Sequence, residues 1–326
     1  LNKNLMSQEY GCFWGDELYN YSDSKIPIIN YMLYENDVIC ISSKPGAGKS
    51  ILAKQLMFHL TTATPFLDTY EVSKPRNVLY IQTEGDRAET IERIQAMKRG
   101  LILDDDRWAH INQDGIIINT NNGIGKLINM AEKPGMDFDV IIIDPLYTTV
   151  KGTLSSDEVA TDWVRNCRKL KGHFGASVIV LHHDAKDIFH EGKEVSRGDD
   201  NIFGSVYWSA FFNHNFKLKD RGGVHYLQRG KQRSGKIVDC LEMKLLEPKP
   251  LMFINVDADM DATTVKVRQM LLLGDKLTAK VIQRKLKMSL ATAYRALNKL
   301  MGNKIVKKTE DDGESYYALA YGGKKD

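Results

Sequence analysis

The chain has 326 residues, 43% hydrophobic and 27% charged, with a formal net charge of +3; this suits one large globular domain with a small appendage and excludes disordered or collagen-like classes. No run approaches the roughly 18 apolar residues that a membrane helix requires, so no membrane partner is expected. Cys12, Cys40, Cys167 and Cys240 are scattered without a CxxC pair, a pattern of reduced thiols in a cytoplasmic protein, not of zinc ligands.

Residues 1–36 read as an N-terminal segment, and residues 37–258 as the main domain. Val38–Ser43 is a short apolar strand, and Ile51, Leu52, Leu56 and Leu60 follow with helical spacing. A second strand, Asn77–Gln82, precedes a helix through Ile91, Ile94 and Met97. Val140–Ile143 and Ser177–Leu181 are buried strands around a helix over Glu158–Leu170. Short apolar runs separated by amphipathic helices indicate an α/β fold with a mostly parallel twisted sheet covered on both faces. The charged stretch 184–201 has no periodicity and is expected to be a long mobile loop. After about residue 213 the pattern changes. Phe216–Lys219 and Val224–Gln228 flank the turn Asp220–Gly223, and Val238–Leu246 and Leu251–Val256 follow, an expected antiparallel extension of the sheet.

Asp257–Ala262 is a linker, residues 262–320 form a second domain, and 321–326 a basic tail. Val265–Leu273 and Ala279–Leu286 are helical, and Ser289 is placed to cap a third helix, Leu290–Met301. Leu290, Ala293, Leu297 and Leu300 make its buried face, with Thr292, Arg295 and Lys299 opposite. Ile305–Lys308 and Ser315–Leu319 bracket Asp311-Asp312-Gly313 as a hairpin, and helix–helix–helix–hairpin is the winged-helix order. Residues 262–326 carry 14 Lys/Arg against 6 Asp/Glu, a surplus of +8 that leaves −5 for the remainder. A basic tail on an acidic body suits a polyanion, so Thr292, Arg295 and Lys299 are candidates for a DNA groove, and Lys307 and Lys308 for phosphates, with a protein-interaction module as the alternative role of this domain.

Chemistry concentrates at Ser43-Lys44-Pro45-Gly46-Ala47-Gly48-Lys49-Ser50, running into Ile51, between a strand and a helix. Glycines there let backbone N–H groups turn toward phosphates, and the helix N-terminus adds partial positive charge. Lys49 is expected on the β- and γ-phosphates of ATP, and the Ser50 hydroxyl on Mg²⁺. Ser43 stands where the usual phosphate-loop pattern has glycine. Asp144 ends a buried strand and is the candidate to hold Mg²⁺ through water. Glu84 follows the second strand and can activate the attacking water, with Asp86 and Glu89 as nearby competitors.

The combined set resembles the RecA-like P-loop ATPases, specifically the RepA-type hexameric replicative helicases and their phage relatives, over roughly residues 37–256. It is carried by Gly46–Ser50, Tyr80-Ile81-Gln82-Thr83-Glu84, Ile143-Asp144-Pro145-Leu146, His182-His183 with Lys186, Phe203-Gly204-Ser205, and Lys231-Gln232-Arg233. The resemblance implies Glu84 as catalytic base and His182 or His183 as a sensor of the γ-phosphate. It implies that Lys231 and Arg233 reach a neighbouring subunit's site, where an arginine is worth about 10³–10⁵ in rate. The implied protein is a ring hexamer that moves on single-stranded DNA, gripped by loops near Lys151–Glu158 and Asp184–Asp200, the latter with Lys186 and Arg197. A RecA- or Sak-type strand-annealing filament and a nucleotide-switched regulator binding duplex DNA are the competing readings.

Overall fold

The structure is a computed structural model and describes residues 25–67, 69–101, 104, 106–184, 188–190, 193–195, 204–232, 240–248, 251–255, 262–272, 277–303, 305–311 and 313–319. Its centre is a nine-stranded sheet in the order Met252–Asn255 (β13), Cys240–Leu246 (β12), Val224–Gln232 (β11), His214–Arg221 (β10), Val38–Ser43 (β3), Ser177–His183 (β7), Val140–Asp144 (β6), Val78–Gln82 (β4) and Trp108–Asn112 (β5). The inner strands are β3 (Val38–Ser43), β4 (Val78–Gln82), β6 (Val140–Asp144) and β7 (Ser177–His183). All are buried almost end to end, because helices cover both faces.

On one face lie α1 (Lys49–Thr62) and α2 (Arg87–Met97), with Leu52, Leu56 and Leu60 packed on Tyr80, Ile142 and Phe253. The other face carries α3 (Asn121–Glu132), α4 (Asp157–Phe174) and α5 (Val206–Phe211), where Trp163 and Trp208 pack on Ile143, Val178 and Val180. The starts of α2, α4 and α5 are capped by Asp86, Ser156 and Ser205, each accepting a first-turn N–H.

Three expectations change, and one strand is added. The main domain starts earlier than residue 37: β1 (Pro27–Ile29) and β2 (Leu33–Tyr34) bury Ile28, Ile29, Met32 and Leu33 in the α1-side core. A short strand, β5 (Trp108–Asn112), forms the sheet's outer edge beside β4. The region after residue 213 is not wholly antiparallel. β10 (His214–Arg221) runs parallel to β3, and only β11 (Val224–Gln232), β12 (Cys240–Leu246) and β13 (Met252–Asn255) extend the sheet in antiparallel fashion. Local patterning marks a strand but not its neighbour, and β10 enters from α5 on the same side as β3. Finally, the stretch read as a loop contains an antiparallel pair, β8 (Ile188–His190) with β9 (Lys193–Val195), each too short for periodicity to register.

The C-terminal elements are α6 (Ala262–Leu272), β14 (Leu277–Thr278), α7 (Ala279–Leu286), α8 (Leu290–Gly302), β15 (Val306–Asp311) and β16 (Glu314–Leu319). Their small antiparallel sheet has the order β14-β16-β15. Val267, Leu271, Ile282, Ala293, Leu297, Leu300 and Tyr317 form its core, which also takes in Met252 and Ile254 of β13. The unit is thus seated on the last strand of the large sheet. Among the described residues no helix is long and apolar enough to cross a membrane.

Candidate nucleotide site

Four parallel strands end along one edge of the sheet. The register sets Ser43 beside His183 and Gln82 beside Asp144. The phosphate loop, the acid, the histidine and the Glu84 turn therefore leave the sheet side by side, at the carboxyl edge where open parallel sheets take ligands.

The loop owes its shape to two left-handed residues, Gly46 (φ 81°) and Gly48 (φ 88°). At Gly48 a Cβ would also sit 2.8 Å from the Phe253 ring, whereas over Gly46 it would meet nothing within 4 Å. Gly48 is the N-cap of α1 and brings no capping side chain, so the first-turn N–H groups remain for a ligand. Lys44, Pro45 and Gly46 are exposed, Ala47 is buried, and Ile51 is half-buried behind them.

Lys49 is 7% exposed. Its ammonium donates to the Ser43 hydroxyl (2.8 Å) and carbonyl (3.3 Å) and lies 3.3 Å from His183 Nδ1. Burial lowers its pKa, and Asp144 and Asp184 pull the other way. Among the described residues no carboxylate comes within 4 Å of it, so this cation is matched to an anion that must arrive. Ser43 thereby explains its departure from the usual glycine: it steers the lysine. His183 is held below its usual range by burial and by Lys49, so a neutral ring can accept from the ammonium. His182 points to the opposite face, as strand alternation demands, and is fully buried against Trp208 with ring centroids 6.3 Å apart.

Asp144 divides its oxygens. Oδ1 accepts from the Ser50 hydroxyl (3.2 Å), and Oδ2 accepts from the Tyr80 hydroxyl (2.6 Å). Lys54, fully buried on α1, approaches Oδ2 to 3.9 Å and Tyr80 Oη to 3.5 Å. Burial lowers the Lys54 pKa to about 8, against the pull of Asp144. The Thr83 N–H donates to the Asp144 carbonyl at 2.9 Å, fixing the two strand ends.

Glu84 is half-buried in the turn between β4 and α2. Burial first, then the charge of Asp144, raise its pKa, while Lys49 opposes. Its carbonyl accepts from the Gln82 amide (2.6 Å), and Gly85 (φ 79°) makes the turn. Both competitors are otherwise engaged: Asp86 caps α2 by accepting from the Glu89 N–H (2.7 Å), and Glu89 pairs with Arg93.

The family model for the AAA domain matches residues 22–188, just over half the chain. The chain belongs to this family. It is thus a RecA-like P-loop NTPase, in a family that includes the RepA-type helicases. Comparison with curated proteins gives no match. The matched span of the AAA domain contains the loop, Glu84, Asp144 and His183; Lys231 and the C-terminal unit lie beyond it.

An AAA-domain NTPase binds nucleotide, usually with Mg²⁺. The residues fit both: a buried ammonium with no carboxylate within 4 Å among the described residues and an uncapped helix N-terminus suit a triphosphate, and the Ser50–Asp144 pair suits the ion. Bound there, Mg²⁺ would neutralise charge on the phosphate oxygens.

The remaining candidates fall elsewhere. Lys231 is on β11, next to Gln232, which pairs with His214; His214 pairs with Ile39, at the sheet edge opposite Ser43. Lys231 is therefore remote from its own chain's phosphate loop. Arg233, Lys186 and Arg197 lie outside the described residues. Arg295 and Lys307 are exposed, and Thr292 and Lys299 are half-exposed. The Thr292 hydroxyl shares a 2.7 Å hydrogen bond with Ser289, and Lys308 pairs with Glu310 at 2.8 Å.

Sequence reasoning assigned no role to Lys54 or to Tyr80. A lysine four residues after Ser50, among Leu52, Ala53 and Leu56 and beside only one other polar residue, Gln55, was the anomaly that could have found the first.

Proposed function

We propose that the chain is an ATP-driven motor that assembles as a ring hexamer and translocates on single-stranded DNA, as a helicase in replication. Lys49 and the α1 N-terminus bind the triphosphate, and Ser50 and Asp144 hold the accompanying ion. Glu84 takes a proton from the water that attacks the γ-phosphorus; its raised pKa makes it a stronger base than an ordinary glutamate. The observation that carries the motor reading is His183, whose Nδ1 is 3.3 Å from the Lys49 ammonium. β7 ends with this residue, and the chain passes directly into the stretch 184–201 with Lys186 and Arg197. One residue thus stands between the nucleotide and the segment read as gripping DNA. The opposite-edge location of Lys231 supports sites completed by a neighbouring copy, with Arg233 as the trans-acting cation.

The test is ATP hydrolysis with and without single-stranded DNA, alongside the mass of the assembly. Stimulation by single strands that is lost in His183→Ala is the expected result. A monomer whose hydrolysis ignores DNA refutes the motor.

The C-terminal unit has the element order of a winged helix, which favours a second contact, with duplex DNA through α8. Arg295 and Lys307 carry most of this reading, since Thr292 and Lys308 already have partners. Duplex affinity should fall with salt and drop in Arg295→Ala. Affinity confined to one duplex sequence, with slow hydrolysis and no response to single strands, would favour the nucleotide-switched regulator instead.

A further inference from the structure

Lys54 sits one turn beyond Ser50 on α1 and is 1% exposed. Burying an ammonium is costly unless it is paired, and an apolar side chain would fill the same slot without that cost. Its neighbours there are Tyr80, whose hydroxyl is 3.5 Å and ring centroid 4.6 Å from Nζ, and Asp144 Oδ2 at 3.9 Å. Tyr80 itself reaches the same oxygen with a 2.6 Å hydrogen bond. Both groups stand behind the acid, and Ser50 stands in front at Oδ1.

The geometry points to Lys54 and Tyr80 as a pair of positioning residues that set, with opposite sign, how tightly Asp144 supports the magnesium ion accompanying nucleotide. This rests on the reading of Asp144 as the metal-supporting acid. Tyr80 is neutral and makes the short bond, so it aims the carboxylate and leaves Oδ1 forward. Lys54 lies beyond ideal hydrogen-bond range of Oδ2 and acts mainly as a fixed positive charge, which offsets the acid and repels a second cation. With Lys54 present, the acid alone is a weak divalent site. The phosphates must supply the missing negative charge, so ion and nucleotide bind and leave together. Among the described residues no group of three or more His, Cys, Asp or Glu is placed to hold a metal without such help.

The experiment measures Mn²⁺ binding, as a spectroscopic substitute for Mg²⁺, by electron paramagnetic resonance on the full chain with a non-hydrolysable ATP analogue. The urea midpoint without nucleotide or metal serves as the fold control. In Lys54→Met, which keeps the volume and loses the charge, Mn²⁺ should bind about tenfold more tightly, the scale of one unit charge acting on a divalent ion in a partly screened interior. In Tyr80→Phe it should bind several-fold more weakly. An unchanged Mn²⁺ affinity in Lys54→Met, or a weakening in both variants, overturns the proposal. If Lys54→Met fails the urea control, Lys54→Gln replaces it with the same expected direction, and Tyr80→Phe alone still overturns the proposal by showing no change. Failure of the unaltered chain to bind the analogue or Mn²⁺ at all would instead remove the reading of the nucleotide site.

Discussion

Gln55→Leu isolates the joint between the phosphate-loop helix and the far edge of the sheet. The Gln55 side chain accepts from the Phe253 N–H at 2.7 Å and donates from its amide to the Phe253 carbonyl at 2.8 Å. Phe253 faces Leu245 across β12 and β13, yet both of its backbone groups turn outward to the glutamine. Gln55 therefore takes the ladder position that a further strand would use. Leucine fills a similar volume but leaves an N–H and a C=O buried without partners. At about 1–3 kcal/mol for each unsatisfied group, partly offset by the added apolar side chain, the loss is about 2–4 kcal/mol. Urea denaturation should register it, with the Phe253 amide losing hydrogen-exchange protection by roughly 10²-fold. Nucleotide affinity should also fall, because the Phe253 ring packs against Gly48. A loss under about 1 kcal/mol, with the amide still protected, would mean that the clamp is incidental and that water or a shifted register satisfies the edge.

Glu84→Gln should retain nucleotide binding and lose hydrolysis; in the unaltered chain the acid limb of kcat should lie above the ordinary glutamate range, since the base works only when ionised and its pKa is raised. His59, buried beside Phe66 with its pKa lowered to about 4, contributes stability that is complete above the unfolded value near 6.5 and is lost as pH falls toward 4. The loss is of the order of 3 kcal/mol, and His59→Gln should flatten urea midpoints measured between pH 7 and pH 4.5. Ser289→Ala should cost about 1 kcal/mol in the C-terminal unit, because the serine accepts from the Thr292 N–H at 3.0 Å; an unchanged melting temperature would refute the cap.

What the sequence disclosed follows from where the physics is local. Val140–Asp144 and Ala279–Leu286 lie where their patterns put them, since a buried apolar run and a capped amphipathic turn depend on few distant contacts. The phosphate loop was readable because its function constrains neighbouring residues. β5 escaped notice because Trp108–Asn112 is half-buried along its length and alternates nothing. α3 was hidden by Gly123 and Gly125, although a Cβ at Gly123 would fall 1.7 Å from the Ile117 carbonyl oxygen, so only glycine fits that turn. The choice between His182 and His183 needed the register that faces one to the core and the other to Lys49. The placing of Tyr80 and Lys54 around one carboxylate oxygen joins three elements, and no single stretch of sequence contains it.

The polar residues of α1 share a logic that its apolar ones conceal. A helix buried on nearly every side cannot use an amphipathic face to fix its rotation, and its polar side chains do so instead. Lys49 holds the end of β3, Ser50 and Lys54 meet β6, Gln55 grips β13, and His59 bonds Thr64 Oγ1 at 2.8 Å. The contacts with β3, β6 and β13 reach three different strands, so α1 cannot rotate or slide without breaking several at once. The phosphate loop is the N-terminal continuation of this helix, and β13 carries Met252 and Ile254 in the core of the C-terminal unit. A bonded route from the phosphate loop to that unit therefore runs from α1 through Gln55 and Phe253. Loosening Gln55 should therefore separate the two ends of the molecule while leaving Asp144, Glu84 and His183 in register at the sheet edge.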